Sequence, residues 1–109
     1  MNILNEINQD INGNEETIKK VKISNMENNK GNKIANQFEI RTTDGTYFQS
    51  YDSLIAFIGI DKVYLDRNMW DYSNTTSKYR SLFLGETKKE TEAKIKNGTY
   101  ILTDLNGGL

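Results

Sequence analysis

Apolar and polar residues alternate most cleanly at residues 36–42, "NQFEIRT", with Phe38 and Ile40 on one side and Gln37, Glu39 and Arg41 on the other. A period of two marks a strand. Asp44-Gly45 follows as a type I′ turn signal, so "TYFQSY" is predicted to return as the second arm of a hairpin. A two-residue loop centred there sets Ile40 opposite Gln49 and Arg41 opposite Phe48, a mismatch that leaves room for a bulge or a longer loop. Upstream, "TIKKVKIS" (17–24) alternates Val21 and Ile23 against Lys20 and Lys22, a second strand pattern. "NMENNKGNK" (25–33) has no period and reads as an exposed loop. Downstream, "LIAFIGI" (54–60) is apolar on both faces, which suits a central strand covered on each side. "KVYLDR" (62–67) is predicted to pair with it.

The helical period occurs in three places. Residues 2–11, "NILNEINQDI", put Ile3, Leu4, Ile7 and Ile11 at helical spacing before "NGN" ends the pattern. Ser73 or Asn74 is a good N-cap for a helix running through "TTSKYRSLFL" to Gly85. Thr87 and Glu90 form a capping-box pattern for a second helix, with Glu90–Lys94 and Glu92–Lys96 as supporting pairs and Asn97-Gly98 as its end. "TYILTDL" is a closing strand and "NGGL" a frayed tail. The predicted fold is α+β, a mostly antiparallel sheet of about five to six strands with two short helices near the C-terminus packed on one face. The 109 residues make a single domain, with 1–35 as an N-terminal extension (short helix, first strand, loop) and 36–109 as the α+β core.

Composition narrows the chemistry. With 36% hydrophobic residues and a mean hydropathy of −0.71, the chain affords one modest core. Fourteen basic residues against 15 acidic ones argue against a broadly basic nucleic-acid binder. Cysteine and histidine are absent, which removes thiolate and imidazole nucleophiles, the commonest general base and the commonest transition-metal ligands. No phosphate-cradling glycine motif is present, so no cofactor is expected and the chain reads as non-enzymatic. "LIAFIGI" is too short to span a bilayer, and the amino terminus lacks the layout of a signal peptide. The expected location is the cytoplasm of a host bacterial cell, with no membrane contact. Heavy use of asparagine and lysine without any proline points to an AT-rich coding sequence, from a low-GC bacterium or its phages.

The densest chemistry lies in "NMWDYSNTTSKYRSLFLGE" (68–86), which holds the only tryptophan. On a helix Tyr79, Leu82 and Phe83 share one arc, Thr75 and Thr76 fall near the same side, Arg80 flanks it, and Lys78 and Ser81 point away. The ordinary reading seats Tyr79, Leu82 and Phe83 on the sheet and plugs the preceding corner with Trp70 and Tyr72. The sharper reading is an interface or anion site at the helix N-terminus, built from Trp70, Asp71, Tyr72, Ser73, Thr75, Thr76, Lys78 and Arg80. Glu39, Asp52, Asp61 and Asp66, with Asp71, are candidates for an acidic surface that competes for a basic nucleic-acid channel. Carboxylates can also bind Mg²⁺, but these show no recognisable ligand spacing, and a hairpin turn explains "TTDGTYF" fully.

The run Trp70, Asp71, Tyr72, Ser73, Thr75, Thr76, Lys78, Tyr79, Phe83 and Leu84, set between "SYDSLIAFI" and "KIKNGTYILTDLN", resembles a small domain of unknown function encoded by phages and mobile elements of low-GC bacteria. The resemblance covers roughly Phe38 to Asn106. It implies a phage or mobile-element setting and assigns neither an activity nor a catalytic residue. The expected function is a non-enzymatic binding protein acting on a host protein, most concretely an inhibitor of a nucleic-acid-guided defence nuclease of the anti-CRISPR kind. One alternative is a nucleic-acid-binding accessory protein using Trp70, Tyr72, Lys78 and Arg80 on single strands. Another is a small virion or assembly component. Nothing in the pattern specifies an oligomeric state.

Overall fold

A computed structural model describes residues 20–107. Six strands lie in one sheet in chain order: β1 (Val21–Glu27), β2 (Lys33–Thr42), β3 (Gly45–Ser50), β4 (Ser53–Ile58), β5 (Val63–Asp66) and β6 (Tyr100–Thr103). The first five form an antiparallel meander. Two helices, α1 (Asn74–Leu84) and α2 (Lys88–Lys96), then carry the chain back so that β6 pairs parallel to β5. A parallel neighbour requires such a crossover. The architecture is α+β, as the patterning predicted, with both helices on one side of the sheet. The helix predicted at residues 2–11 lies outside the described residues.

The β2–β3 hairpin is shifted from its predicted register. Thr42 pairs with Gly45 and Ile40 with Tyr47, so Thr43-Asp44 is the loop and Gly45 already belongs to β3. Thr42 closes the turn, its hydroxyl donating to the Gly45 carbonyl at 2.9 Å and accepting from the Asp44 amide at 3.1 Å. Gly45 serves a different need. Its φ is 150°, and a Cβ there would collide with the Ile58 carbonyl oxygen and come within 2.7 Å of the Phe57 ring. Close approach of β4, rather than turn geometry, requires the glycine.

The predicted loop at 25–33 is shorter than expected. β1 continues to Glu27 and β2 starts at Lys33. Asn28 organises the connection by accepting from the amides of Lys30 (2.8 Å) and Asn32 (3.0 Å). β2 therefore runs across residue 35, and β1 is an integral strand of the sheet.

The core lies between the sheet and the helices. Phe48, Ile55, Ala56 and Leu65 are fully buried, with Met26 and Tyr100 nearly so, and Tyr79, Phe83 and Ile95 pack down on them. The Phe48 and Phe83 rings stack at 5.6 Å. A bulge in β4 sets Phe48 opposite Ala56 and Gln49 opposite Leu54, which leaves Ile55 as the extra residue. The expectation that β4 is covered on both faces by other elements is not met among the described residues, because both helices use the same side and Phe57 stays partly exposed on the other. Local chemistry at the helix ends follows the prediction: Ser73 caps α1, Gly85 ends it at φ 72°, and Thr87 and Glu90 complete a capping box on α2. Lys94, expected to pair with Glu90, reaches Glu86 instead at 2.7 Å.

Candidate functional site

The segment before α1 is shaped by Asp66. One carboxylate oxygen accepts from the amides of Asn68 (3.1 Å) and Met69 (2.9 Å), and the other from the amide of Leu105 (2.8 Å). The resulting turn sets the Trp70 carbonyl and Asp71 against α1, where Arg80 meets both. Arg80 is 0% exposed. Its Nη1 donates to the Trp70 carbonyl (2.6 Å) and Asp71 Oδ1 (3.1 Å), and its Nη2 to Ser77 Oγ (3.1 Å). The guanidinium carbon lies 4.9 Å from the Trp70 ring centroid, a cation–π contact. Asp71 Oδ2 takes Lys88 Nζ at 2.7 Å. Burial pushes the Asp71 carboxyl up, but hydrogen bonds from Lys88, Arg80 and Ser77 outweigh it and hold the group below its ordinary value.

The predicted arc of α1 is thus corrected. Leu82 is 57% exposed, while Thr76 and Arg80 are buried beside Tyr79 and Phe83. A charged side chain can replace leucine there because its donors find acceptors within the fold.

Of the eight residues singled out in this stretch, the structure brings Trp70, Asp71 and Arg80 into one cluster. Ser73 and Thr76 are used structurally: Ser73 Oγ accepts from the Thr76 amide at 3.1 Å, and the buried Thr76 hydroxyl lies 3.1 Å from Ser50 Oγ. Tyr72, Thr75 and Lys78 are exposed, with Lys78 Nζ 5.2 Å from the Tyr79 ring centroid. The cations expected to share an anion are separated, one inside and one outside.

Of the acidic candidates, Asp52 and Asp66 share a cleft and the others lie apart from it. Glu39 pairs with Arg41 at 3.0 Å, Asp52 and Asp61 are exposed in turns, and Asp66 is buried. Asp52 and Asp66 line a cleft of about 510 Å³ with Ser53, Asn68 and Asp104. Two of its carboxylates are occupied by backbone amides: Asp66 as above, and Asp104 by Asn106 and Gly107, both at 3.1 Å. Among the described residues no three His, Cys, Asp or Glu side chains are placed to hold a metal ion.

A different surface stands out on the side of the sheet away from the helices. Ile23, Ile40, Tyr47, Phe57, Tyr64 and Ile101 are successive register partners, one from each strand, in a single row across the whole sheet. The Tyr47 and Phe57 rings lie 4.4 Å apart and those of Phe57 and Tyr64 6.3 Å apart. Asn25, Phe38, Gln49 and Leu54 form a flanking row. Neither row contains a charged residue. Val21 and Ile23 are 59% and 63% exposed, and no residue of the central row belongs to the core packed by the helices.

Sequence reasoning passed over this face. It separated Phe38 and Ile40 from Gln37, but the fully buried residue is Gln37, and Phe38 and Ile40 belong to the open side. A signal was present in adjacent apolar pairs, Tyr47-Phe48, Ala56-Phe57, Tyr64-Leu65 and Ile101-Leu102, each of which makes both faces of its strand apolar.

Residues 21–98 match the model of a family of unknown function, DUF8033. The chain belongs to this family. No curated protein and no solved structure matches it. The DUF8033 match opens at the first residue of β1 and takes in five members of the aromatic row, Ile23 to Tyr64, together with the Trp70–Asp71–Arg80 cluster. It extends further toward the amino terminus than the resemblance seen from residue 38, and β6 with Ile101 lies beyond it.

Proposed function

We propose that this DUF8033 member is a non-enzymatic binding protein that engages another protein through the face of its sheet opposite α1 and α2. One observation carries the reading: an uncharged row of three aromatic and three aliphatic residues crosses all six strands on the side away from α1 and α2, the helices of the described residues. Contiguous apolar patches left in reach of solvent mark interaction sites; here Ile23 is exposed and the other five members of the row are partly buried. The fitting partner element is an amphipathic helix or strand with an uncharged apolar stripe. A nucleic acid fits less well, because neither row offers a cation to offset phosphate charge. The Trp70–Arg80 cluster supports the face indirectly by stiffening the helical layer behind it.

The phage or mobile-element setting implied by the resemblance makes a host-cell protein in the cytoplasm the partner class, most concretely a nucleic-acid-guided defence nuclease. Among the described residues no helix is long and apolar enough to cross a membrane. The test mixes purified protein with such nucleases and follows target cleavage. Stoichiometric inhibition that is lost in Tyr47→Lys and Tyr64→Lys, and kept in Lys78→Ala, is the expected result. Failure to inhibit any effector and to rescue phage in defended cells rejects the nuclease assignment. A complex that forms equally well with Tyr47→Lys rejects the face itself.

A further inference from the structure

We propose that the joint between the sheet and the start of α1 is a binding site for an interior water molecule, held by the side-chain amide of Gln37 and shared with the hydroxyls of Ser50 and Thr76. The site is separate from the partner face, since these three side chains lie on the side of the sheet that carries the helices.

Gln37 is 0% exposed, yet neither its Nε2 nor its Oε1 has a hydrogen-bond partner within the protein. Native folds satisfy nearly all such groups, with protein or with ordered water, because an unpaired buried amide is costly. The backbone is shaped to put this amide inside. Asn25 pairs with Phe38 and Glu27 with Lys33, so Met26 alone stands opposite Ile34, Ala35, Asn36 and Gln37. Bulges of this kind re-aim side chains. Asn36 takes a left-handed φ of 65°, and its carbonyl accepts from the Tyr51 amide at 2.7 Å, which fixes the bend. Gln37 leaves the bend as the register partner of Ser50. Directly opposite side chains have Cβ atoms about 5 Å apart. Ser50 Oγ in turn lies 3.1 Å from Thr76 Oγ1, and both residues are 0% exposed. Each hydroxyl keeps capacity beyond that one bond. An amide with a free donor and a free acceptor thus stands beside a hydroxyl pair, the two to four partners that a buried water requires. Full burial of all three residues suits the smallest polar ligand. The other buried side-chain atom without a partner among the described residues, Arg80 Nε, belongs to the same layer, one turn beyond Thr76 on α1.

The test is magnetic cross-relaxation between water and the isotope-labelled full-length protein. The Gln37 side-chain amide hydrogens should show a water cross-peak of the sign that marks a long-held molecule, whereas Gln49, whose amide bonds the Tyr51 carbonyl at an exposed position, should not. No such peak at Gln37, or the same weak contact at both residues, overturns the proposal. Substitution gives a second reading. Gln37→Met keeps the length of the side chain and removes both amide atoms. A bound water then loses two partners, and the urea midpoint should fall by about 0.5 M or more. An unchanged or higher midpoint, as expected when an unsatisfied amide is simply deleted, overturns the proposal. The shared hydroxyls are tested by coupling: Thr76→Val should lower the midpoint about twice as far in the parent as in Gln37→Met, and equal falls would break the link. None of these measurements involves a partner, so their failure is distinct from failure of the nuclease test.

Discussion

Removing the Arg80 side chain tests whether the Trp70 region is a structural joint. Arg80→Ala deletes three donated hydrogen bonds, to the Trp70 carbonyl, Asp71 and Ser77, and the contact with the Trp70 ring. Hydrogen bonds from a charged donor contribute about 1.5–3 kcal/mol each, and a buried carbonyl left without a partner costs about 1–3 kcal/mol. Two effects offset this. The guanidinium no longer has to be desolvated, and its Nε, which has no partner in the fold, disappears with it. Breaking a buried ion pair from one side typically costs about 3–5 kcal/mol. Asp71 is partly exposed and keeps Lys88, so the lower end applies, about 3 kcal/mol. With a urea dependence of about 1.5 kcal/mol per M, the unfolding midpoint should fall by about 2 M. Emission from Trp70, the only tryptophan, reports the transition and should shift to the red in the folded variant as its cover is lost. Lys78→Ala, exposed on the same helix, should leave the midpoint in place. A fall of less than about 0.5 M, below 1 kcal/mol, would refute the view that Arg80 holds α1 to the preceding turn.

Gly45→Ala should destabilise by about 2 kcal/mol or more, since the new methyl must displace the Ile58 carbonyl and the Phe57 ring; a thermal midpoint within a degree of the parent would contradict it. Tyr51 holds a left-handed φ of 58°, so Tyr51→Asn should stabilise by about 0.5–1 kcal/mol in a denaturant titration, and a loss would mean that its ring packs usefully. Glu86 binds α1 to α2 and β6 by accepting from Thr91 (2.6 Å), Lys94 (2.7 Å) and Tyr100 (2.9 Å). Burial pushes its carboxyl up, and these donors more than compensate, holding it below the ordinary value, as Lys88, Arg80 and Ser77 do for Asp71. Lowered folded-state values mean stability that is present above the unfolded-state values and lost as pH falls through the folded ones. Denaturation midpoints should therefore drop below about pH 4.5, and Glu86→Gln should lower stability at neutral pH and flatten that slope. An equally steep acid limb in the variant would count against the network.

The elements that were legible from sequence are those whose chemistry is local. Ser73, Gly85, Thr87 and Glu90 act within one helical turn, and each cap forms as their spacing requires. Distant contacts overrode local cues elsewhere. Asp44-Gly45 is a strong turn dipeptide, yet the glycine is claimed by Ile58 of another strand. Arg80 reads as a flanking cation until the Asp66 turn brings the Trp70 carbonyl and Asp71 to it. The open face was hidden for the same reason. Period-two alternation tells which residues share a side, but not which side receives the helices.

The parallel closure of the sheet sets an order of assembly. Strands β1 to β5 zip through short turns, whereas β6 pairs Tyr100 with Val63, 37 positions back. The Asn106 side chain then clamps Leu54, accepting from its amide at 2.8 Å and donating to its carbonyl at 3.1 Å. Local pairing forms quickly and distant pairing slowly, so a chain still emerging from the ribosome holds β5 as a raw edge beside an apolar sheet. Exposed edges of that kind recruit other strands. The hazard of self-association is therefore concentrated in the brief interval before residues 100–106 arrive, and substitutions at Tyr100 or Asn106 should harm yield in the cell more than they harm the purified, finished fold.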